Sequence, residues 1–251
     1  MLAAMIIETI DIPTPDGVCD ALVAFPGTGP HPGVLLYTDI FGIRPVIEDL
    51  ARELAGHGYV VLVPNVFYRH GRTPVAEVPE FIGADARDTV VARLRPLLTA
   101  HTPEFALRDA EAYLGVLADR PEVADGPIGA VGYCMGAVLA MRTAAAHPDR
   151  VAAVGGFHPG RLYTGTPDSP HLRFGSLTAR VHLGLAETDL AGEARGEVEK
   201  ALAAAGVDYH IETYPGAAHG FTMADTEAFD ADARQRHWDR LLPLLSGTLS
   251  A

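Results

Sequence analysis

The sequence predicts an α/β fold, a doubly wound and mostly parallel sheet of about eight strands with an antiparallel hairpin at its N-terminal edge. Three observations carry this. Short β-branched runs alternate with longer amphipathic stretches along the chain. The central runs, such as Gly33-Val-Leu-Leu-Tyr37 and Val60-Val-Leu-Val63, are continuously apolar, as strands covered on both faces require. The first two strands are separated by a turn, Pro13–Gly17, with no room for a crossover helix, so they pair antiparallel.

Taken in order, the strands are expected near Met5–Ile12, Asp20–Phe25, Gly33–Tyr37, Tyr59–Val63, Ile128–Gly132, Val151–Gly155, Ala179–Leu183 and Val207–Tyr214. Helical periodicity fills the intervals at Pro45–His57, Ala84–Leu98, Phe105–Ala118, Met135–His147, Gly192–Ala205 and Ala228–Leu245. The Pro/Gly-rich stretch Pro159–Gly175 reads as a long surface loop of the kind that forms lids or binding loops. There is no repeat, low-complexity tract or linker, so residues 1–251 read as a single domain.

The charge balance narrows the partners. Acidic residues outnumber basic ones, and the formal net charge is −13. Such a surface repels phosphate backbones and anionic membranes, so neither nucleic acid nor lipid is expected as a primary partner. The apolar run Leu2–Ile7 has no basic residue before it and is broken by Glu8, too short for a signal core, and no uncharged run reaches membrane-spanning length. A cytoplasmic protein, monomeric or homodimeric, is the expectation. Two cysteines, Cys19 and Cys134, make no disulfide framework.

The most informative string is Gly132-Tyr133-Cys134-Met135-Gly136, placed between an apolar strand and a helix. A small–x–nucleophile–x–small turn forces its central residue into a strained conformation that lifts the side chain above the strand ends. The following helix N-terminus favours a thiolate, and the N–H of Met135 is aimed where an oxyanion would form. The competing reading of Cys134 is a buried structural thiol.

An α/β-hydrolase presents nucleophile, acid and histidine in that order along the chain. His219, in Gly216-Ala-Ala-His-Gly-Phe221, follows the last expected strand and precedes the last helix, at the carboxyl edge of the sheet where open α/β sheets carry their chemistry. The acid is expected after the strand Ala179–Leu183, where Asp189 is preferred and Glu187 is the alternative.

Together with Asp39-Ile-Phe-Gly42 and Ala51-Arg-Glu-Leu-Ala-Gly-His-Gly-Tyr59, the cysteine elbow and the late Ala-His-Gly-Phe resemble the dienelactone hydrolases, from about Gly33 to the C-terminal helix. The resemblance implies an α/β-hydrolase fold, hydrolysis of an enol-lactone, and a triad of Cys134, Asp189 and His219. It implies a second oxyanion donor in the N–H of Ile40. It also places Asp39 where the family has a glutamate that takes the thiol proton. The family's arginine shortly after the histidine is missing, since Thr222-Met-Ala-Asp225 stand there. Arg69, Arg72 and Arg87 are candidates to replace it, and Tyr133 and Phe221 are further candidates for substrate contact.

The expected reaction is cleavage of a small ester or lactone through a thioester on Cys134. No metal, nucleotide or other cofactor is expected: His-Glu-x-x-His, Cys-x-x-Cys and the Gly-rich phosphate motifs are absent. Two other readings compete. One is a degenerate hydrolase fold that binds a small ligand. The other is a cysteine amidotransferase-like enzyme, in which a carboxylate usually stands two residues after the histidine, the position Phe221 occupies.

Overall fold

The computed structural model describes residues 5–249, so the first residues of the Leu2–Ile7 run lie outside it. Eight strands form one sheet: β1 (Met5–Thr14), β2 (Gly17–Pro26), β3 (Gly33–Tyr37), β4 (Val60–Pro64), β5 (Ile128–Tyr133), β6 (Val151–Phe157), β7 (Arg180–Leu185) and β8 (Tyr209–Thr213). Their order is β1-β2-β4-β3-β5-β6-β7-β8. The β1–β2 hairpin is antiparallel and β2 joins β4 antiparallel, while every pair from β4 to β8 is parallel. Both expectations, a parallel centre and an N-terminal edge hairpin, hold.

The helices are α1 (Pro45–Gly56), α2 (Ala84–Ala100), α3 (Pro103–Asp119), α4 (Met135–Ala146), α5 (Glu193–Ala205) and α6 (Ala231–Ser246). One core joins α3, α4 and α5 to the sheet through Tyr113, Leu117, Leu139, Met141, Val198 and Leu202. The other joins α1 and α6 through Ile47, Leu50, Leu54, Trp238, Leu241 and Leu245. In α1, α3, α5 and α6 their spacing of three, four and seven residues puts each set on one helix face. With both faces covered, the central strands have no solvated side, which is why they read as unbroken apolar runs. Helix α2 stands apart: Val90 and Leu94 pack on Ile40, in the loop after β3, to form a small third cluster.

Element ends depart from expectation where capping decides. Helix α6 begins at Ala231 rather than Ala228, because the Asp230 carboxylate accepts the N–H of Ala233 at 2.9 Å and sets the cap. Helix α3 begins two residues early, at Pro103, with Thr102 as its cap. The 159–175 stretch is not wholly a surface loop. Pro170–Ser176 is a 3-10 helix, and both Phe174 and Leu162 are buried in the core.

Candidate active site

Strand β5 delivers the elbow. Cys134 has φ 53° and ψ −115°, a backbone conformation that L-residues rarely hold. Its N–H donates to the Phe157 carbonyl (3.1 Å), and its carbonyl accepts the N–H of Gly160 (2.9 Å), so the bend is pinned from β6 and from the loop beyond it. The two glycines are sterically obligatory. A Cβ on Gly132 would stand 2.1 Å from the Gly136 carbonyl oxygen, and one on Gly136 would stand 2.4 Å from the carbonyl oxygens of Tyr37 and Thr38. The second figure shows that α4 starts hard against the end of β3, which brings the loop carrying Asp39 and Ile40 beside the elbow. Cys134 is partly exposed, against the reading of a sealed structural thiol; Cys19 is the buried one, its thiol pushed up to about 12 by burial.

Around Cys134 the expected partners converge. His219 Nε2 lies 3.1 Å from Cys134 Sγ, and His219 Nδ1 lies 2.7 Å from Asp189 Oδ1. Asp189 Oδ2 accepts the N–H of Ala186 at 2.9 Å, which orients the carboxylate. Glu187 is exposed beside it and does not meet the ring. Burial opposes charge on His219, but the hydrogen bonds to Asp189 and Cys134 outweigh it and raise its pKa to about 10. The Met135 N–H is the first of α4 and has no carbonyl within its own helix. The N–H of Ile40 also has no acceptor among the described residues.

Asp39 does not join this relay. Its carboxylate is held by two hydrogen bonds from Arg44, at 2.7 and 2.9 Å, and accepts the Phe41 N–H at 2.9 Å. Arg44 also reaches Asp225 at 2.6 Å, so one nearly buried guanidinium joins two acids from separate loops, one after β3 and one after β8. Two negative charges against one positive leave no net attraction for an anion there.

Four expected substrate contacts are corrected. Arg69 is clamped by both oxygens of the fully buried Asp109 and by Asp16, and lies over the rings of Tyr68 and Phe105. Arg72 pairs with Asp11 on β1. Both charges are thus spent at the hairpin end of the sheet. Tyr133 is wholly buried, its hydroxyl 3.0 Å from His237 Nε2 and its ring packed on Phe157, because alternation along β5 turns it into the core under α6. Phe221 is also wholly buried and packs against Tyr214 and His158 rather than lining an opening.

Arg87 is placed differently. It lines a cavity of about 380 Å³ with His219, Ala218, Ile82 and Glu227. Its Nη1 would stand 3.6 Å from a Cβ on Gly220, and its guanidinium has no hydrogen bond or ion pair among the described residues.

Sequence reasoning missed Arg44 and His158. Arg44 and Asp225 are 181 residues apart and nothing local joins them. His158 directly follows β6, and its position at the carboxyl edge of a parallel strand is the one signal that could have marked it.

A strained cysteine on a strand–helix elbow, a histidine after the last strand and an acid after the strand before it thus meet at one edge of an α/β-hydrolase fold. The dienelactone hydrolase family profile matches residues 19–249, and the chain belongs to that family. The carboxymethylenebutenolidase of Rhodococcus opacus is 30% identical over 246 residues, covering 91% of this chain and 90% of the relative. That of Pseudomonas putida is 26% identical, covering 96% and 99%. Among solved structures, one from Klebsiella pneumoniae superposes with a TM-score of 0.83 at 22% identity, covering 97% of this chain and 99% of that one. The dienelactone hydrolase of Anabaena variabilis gives 0.62 at 17% identity, covering 93% and 95%. The chain is therefore a hydrolase of the dienelactone hydrolase type, and neither the amidotransferase-like reading nor that of a degenerate binding protein is favoured. No helix among the described residues is long and apolar enough to cross a membrane.

Proposed function

We propose that this protein hydrolyses small activated esters and lactones by a Cys134–His219–Asp189 relay through a thioester. The observation that carries the reading is the unbroken pair of short contacts from Sγ through the imidazole to the Asp189 carboxylate. The hydrogen bonds to Asp189 and Cys134 raise the pKa of His219 to about 10, which favours a protonated ring beside the sulfur, and the N-terminus of α4 favours negative charge on that sulfur.

The thiolate attacks the acyl carbon, and the N–H groups of Met135 and Ile40 receive the oxyanion; losing one such donor costs ~100-fold or more. As the intermediate collapses, the acyl–oxygen bond breaks and His219 gives its proton to the departing alkoxide or enolate. Neutral His219 then takes a proton from water, whose oxygen attacks the thioester. Release of the acid restores the thiolate and the protonated ring. A thiolate is the weaker base, so the route suits good leaving groups such as enolates over amides.

Arg87 is the cation for a substrate carboxylate, supported by its place in the cavity with His219 and its lack of another partner. The carboxymethyl group in the names of the relatives fits that role.

The test is turnover of p-nitrophenyl acetate and of enol-lactones with and without a carboxylate. Cys134→Ala is expected to abolish all of it. Arg87→Gln is expected to raise KM for the carboxylate-bearing lactone by about tenfold or more, with the neutral ester unchanged. Tight lactone binding by the wild type without turnover contradicts the reading.

A further inference from the structure

We propose that His158 is a positioning residue whose ring forms a fixed wall holding His219 in register between Cys134 and Asp189; the inference rests on the function proposed above. The two imidazoles lie with centroids 5.3 Å apart and planes at 71°. His158 directly follows β6, whereas His219 comes from the loop after β8, so the contact joins two separate parts of the sheet edge.

The wall is itself immobilised. His158 is wholly buried and has φ 36°. Its N–H donates to the Gly184 carbonyl at 2.7 Å, tying it to β7. Its Nε2 lies 2.7 Å from Thr222 Oγ1, three residues beyond His219. Phe221 packs against it with centroids 5.1 Å apart, and Tyr133 lies 5.9 Å away on another side. A positive φ on a buried, non-glycine residue is strained and persists only where surrounding contacts over-determine it. His219, by contrast, is partly open and sits on a loop between two glycines of positive φ, Gly216 and Gly220. Its two hydrogen bonds fix the ends of the ring, but not its rotation about the line joining them. A rigid ring across that line does.

Burial and the neighbouring His219 and His237 drive the pKa of His158 well below the ordinary imidazole range. The wall is therefore neutral while His219 carries its proton, and places no like charge beside it.

Two substitutions separate a ring wall from a structural hydrogen bond. His158→Asn stays polar and tolerates positive φ, but removes the ring. His158→Phe keeps a ring and loses the bond to Thr222. The readouts are kcat and KM on p-nitrophenyl acetate, and the rate of iodoacetamide alkylation of Cys134 at neutral pH, which needs no substrate. The Asn variant is expected to lose about tenfold or more in kcat with KM little changed, and to slow alkylation, because small displacements of a reacting group carry penalties of that size. The Phe variant is expected to stay near wild type in both. A Phe variant that is folded but as impaired as expected for Asn overturns the proposal, as does an Asn variant with wild-type kcat and alkylation. If Asn does not fold, the Phe variant decides alone; if Phe does not fold, the Asn variant does. If wild type alkylates rapidly yet turns over no ester, the function proposed above fails while this inference is still read from the alkylation rates.

Discussion

His219 Nδ1 and Asp189 Oδ1 stand 2.7 Å apart, and the carboxylate is itself fixed by the N–H of Ala186. This contact sets the tautomer and orientation of the ring that faces Cys134. Asp189→Asn would present an amide in place of the acceptor. A fall in kcat of about 10²–10⁴-fold is expected, with the fold retained. Glu187→Gln, altering the exposed neighbouring carboxylate, is expected to leave kcat within about twofold. Steady-state kinetics of the two variants side by side would check this, and equal losses would contradict the assignment.

Arg44 neutralises Asp39 at a site where both side chains are nearly buried. Arg44→Gln leaves that carboxylate without its cation, and breaking such a pair from one side costs about 3–5 kcal/mol. Denaturant unfolding should show a loss of that order. The double change Asp39→Asn with Arg44→Gln should recover part of it, since one of the two orphaned carboxylates is gone and only that of Asp225 remains. A loss under about 1 kcal/mol in Arg44→Gln would show that Asp39 is already solvated.

Four histidines, three buried and one half-buried, give the protein an acid limit. Burial lowers His101 and His182 to about 4 and His237 to about 3, and drives His158 lower than the ordinary range as well. The sign follows from proton binding. Below the unfolded value of about 6.5 the unfolded chain takes up protons that the folded chain refuses, so stability falls as pH drops. For His237 alone, the loss by about pH 4.5 is roughly 2–3 kcal/mol. Unfolding free energy measured at stepped pH should decline from near pH 6.5 downward. His237→Gln should flatten part of that slope, and an unchanged slope would show that this ring is not held neutral.

Much of the site was legible because steric necessity writes itself into residue type. The elbow demands glycine at 132 and 136, where a Cβ would fall within 2.4 Å of backbone oxygens, and those glycines mark the proposed nucleophile between them. The central strands were legible because burial on both faces removes polar residues. That same uniformity hid which way each side chain points, so Tyr133 reads as a neighbour of the site when alternation sends it to His237. Charge pairing was not legible. Arg69 is drawn to Asp16 and Asp109, 53 and 40 residues away, and Arg44 to Asp225 at 181, by contacts that exist only after the sheet assembles. His158 was missed for the same reason: its partners come from β7 and from the loop after β8.

The central claim is that the acyl group passes through the sulfur of Cys134. Rapid mixing with a p-nitrophenyl ester, an acid quench and peptide mass analysis tests it most directly. The expected result is a burst of p-nitrophenolate matched by an acyl mass increment on the peptide bearing Cys134, both lost in Cys134→Ala. Burst and turnover surviving in Cys134→Ala, or an acyl group found on another residue, would contradict it.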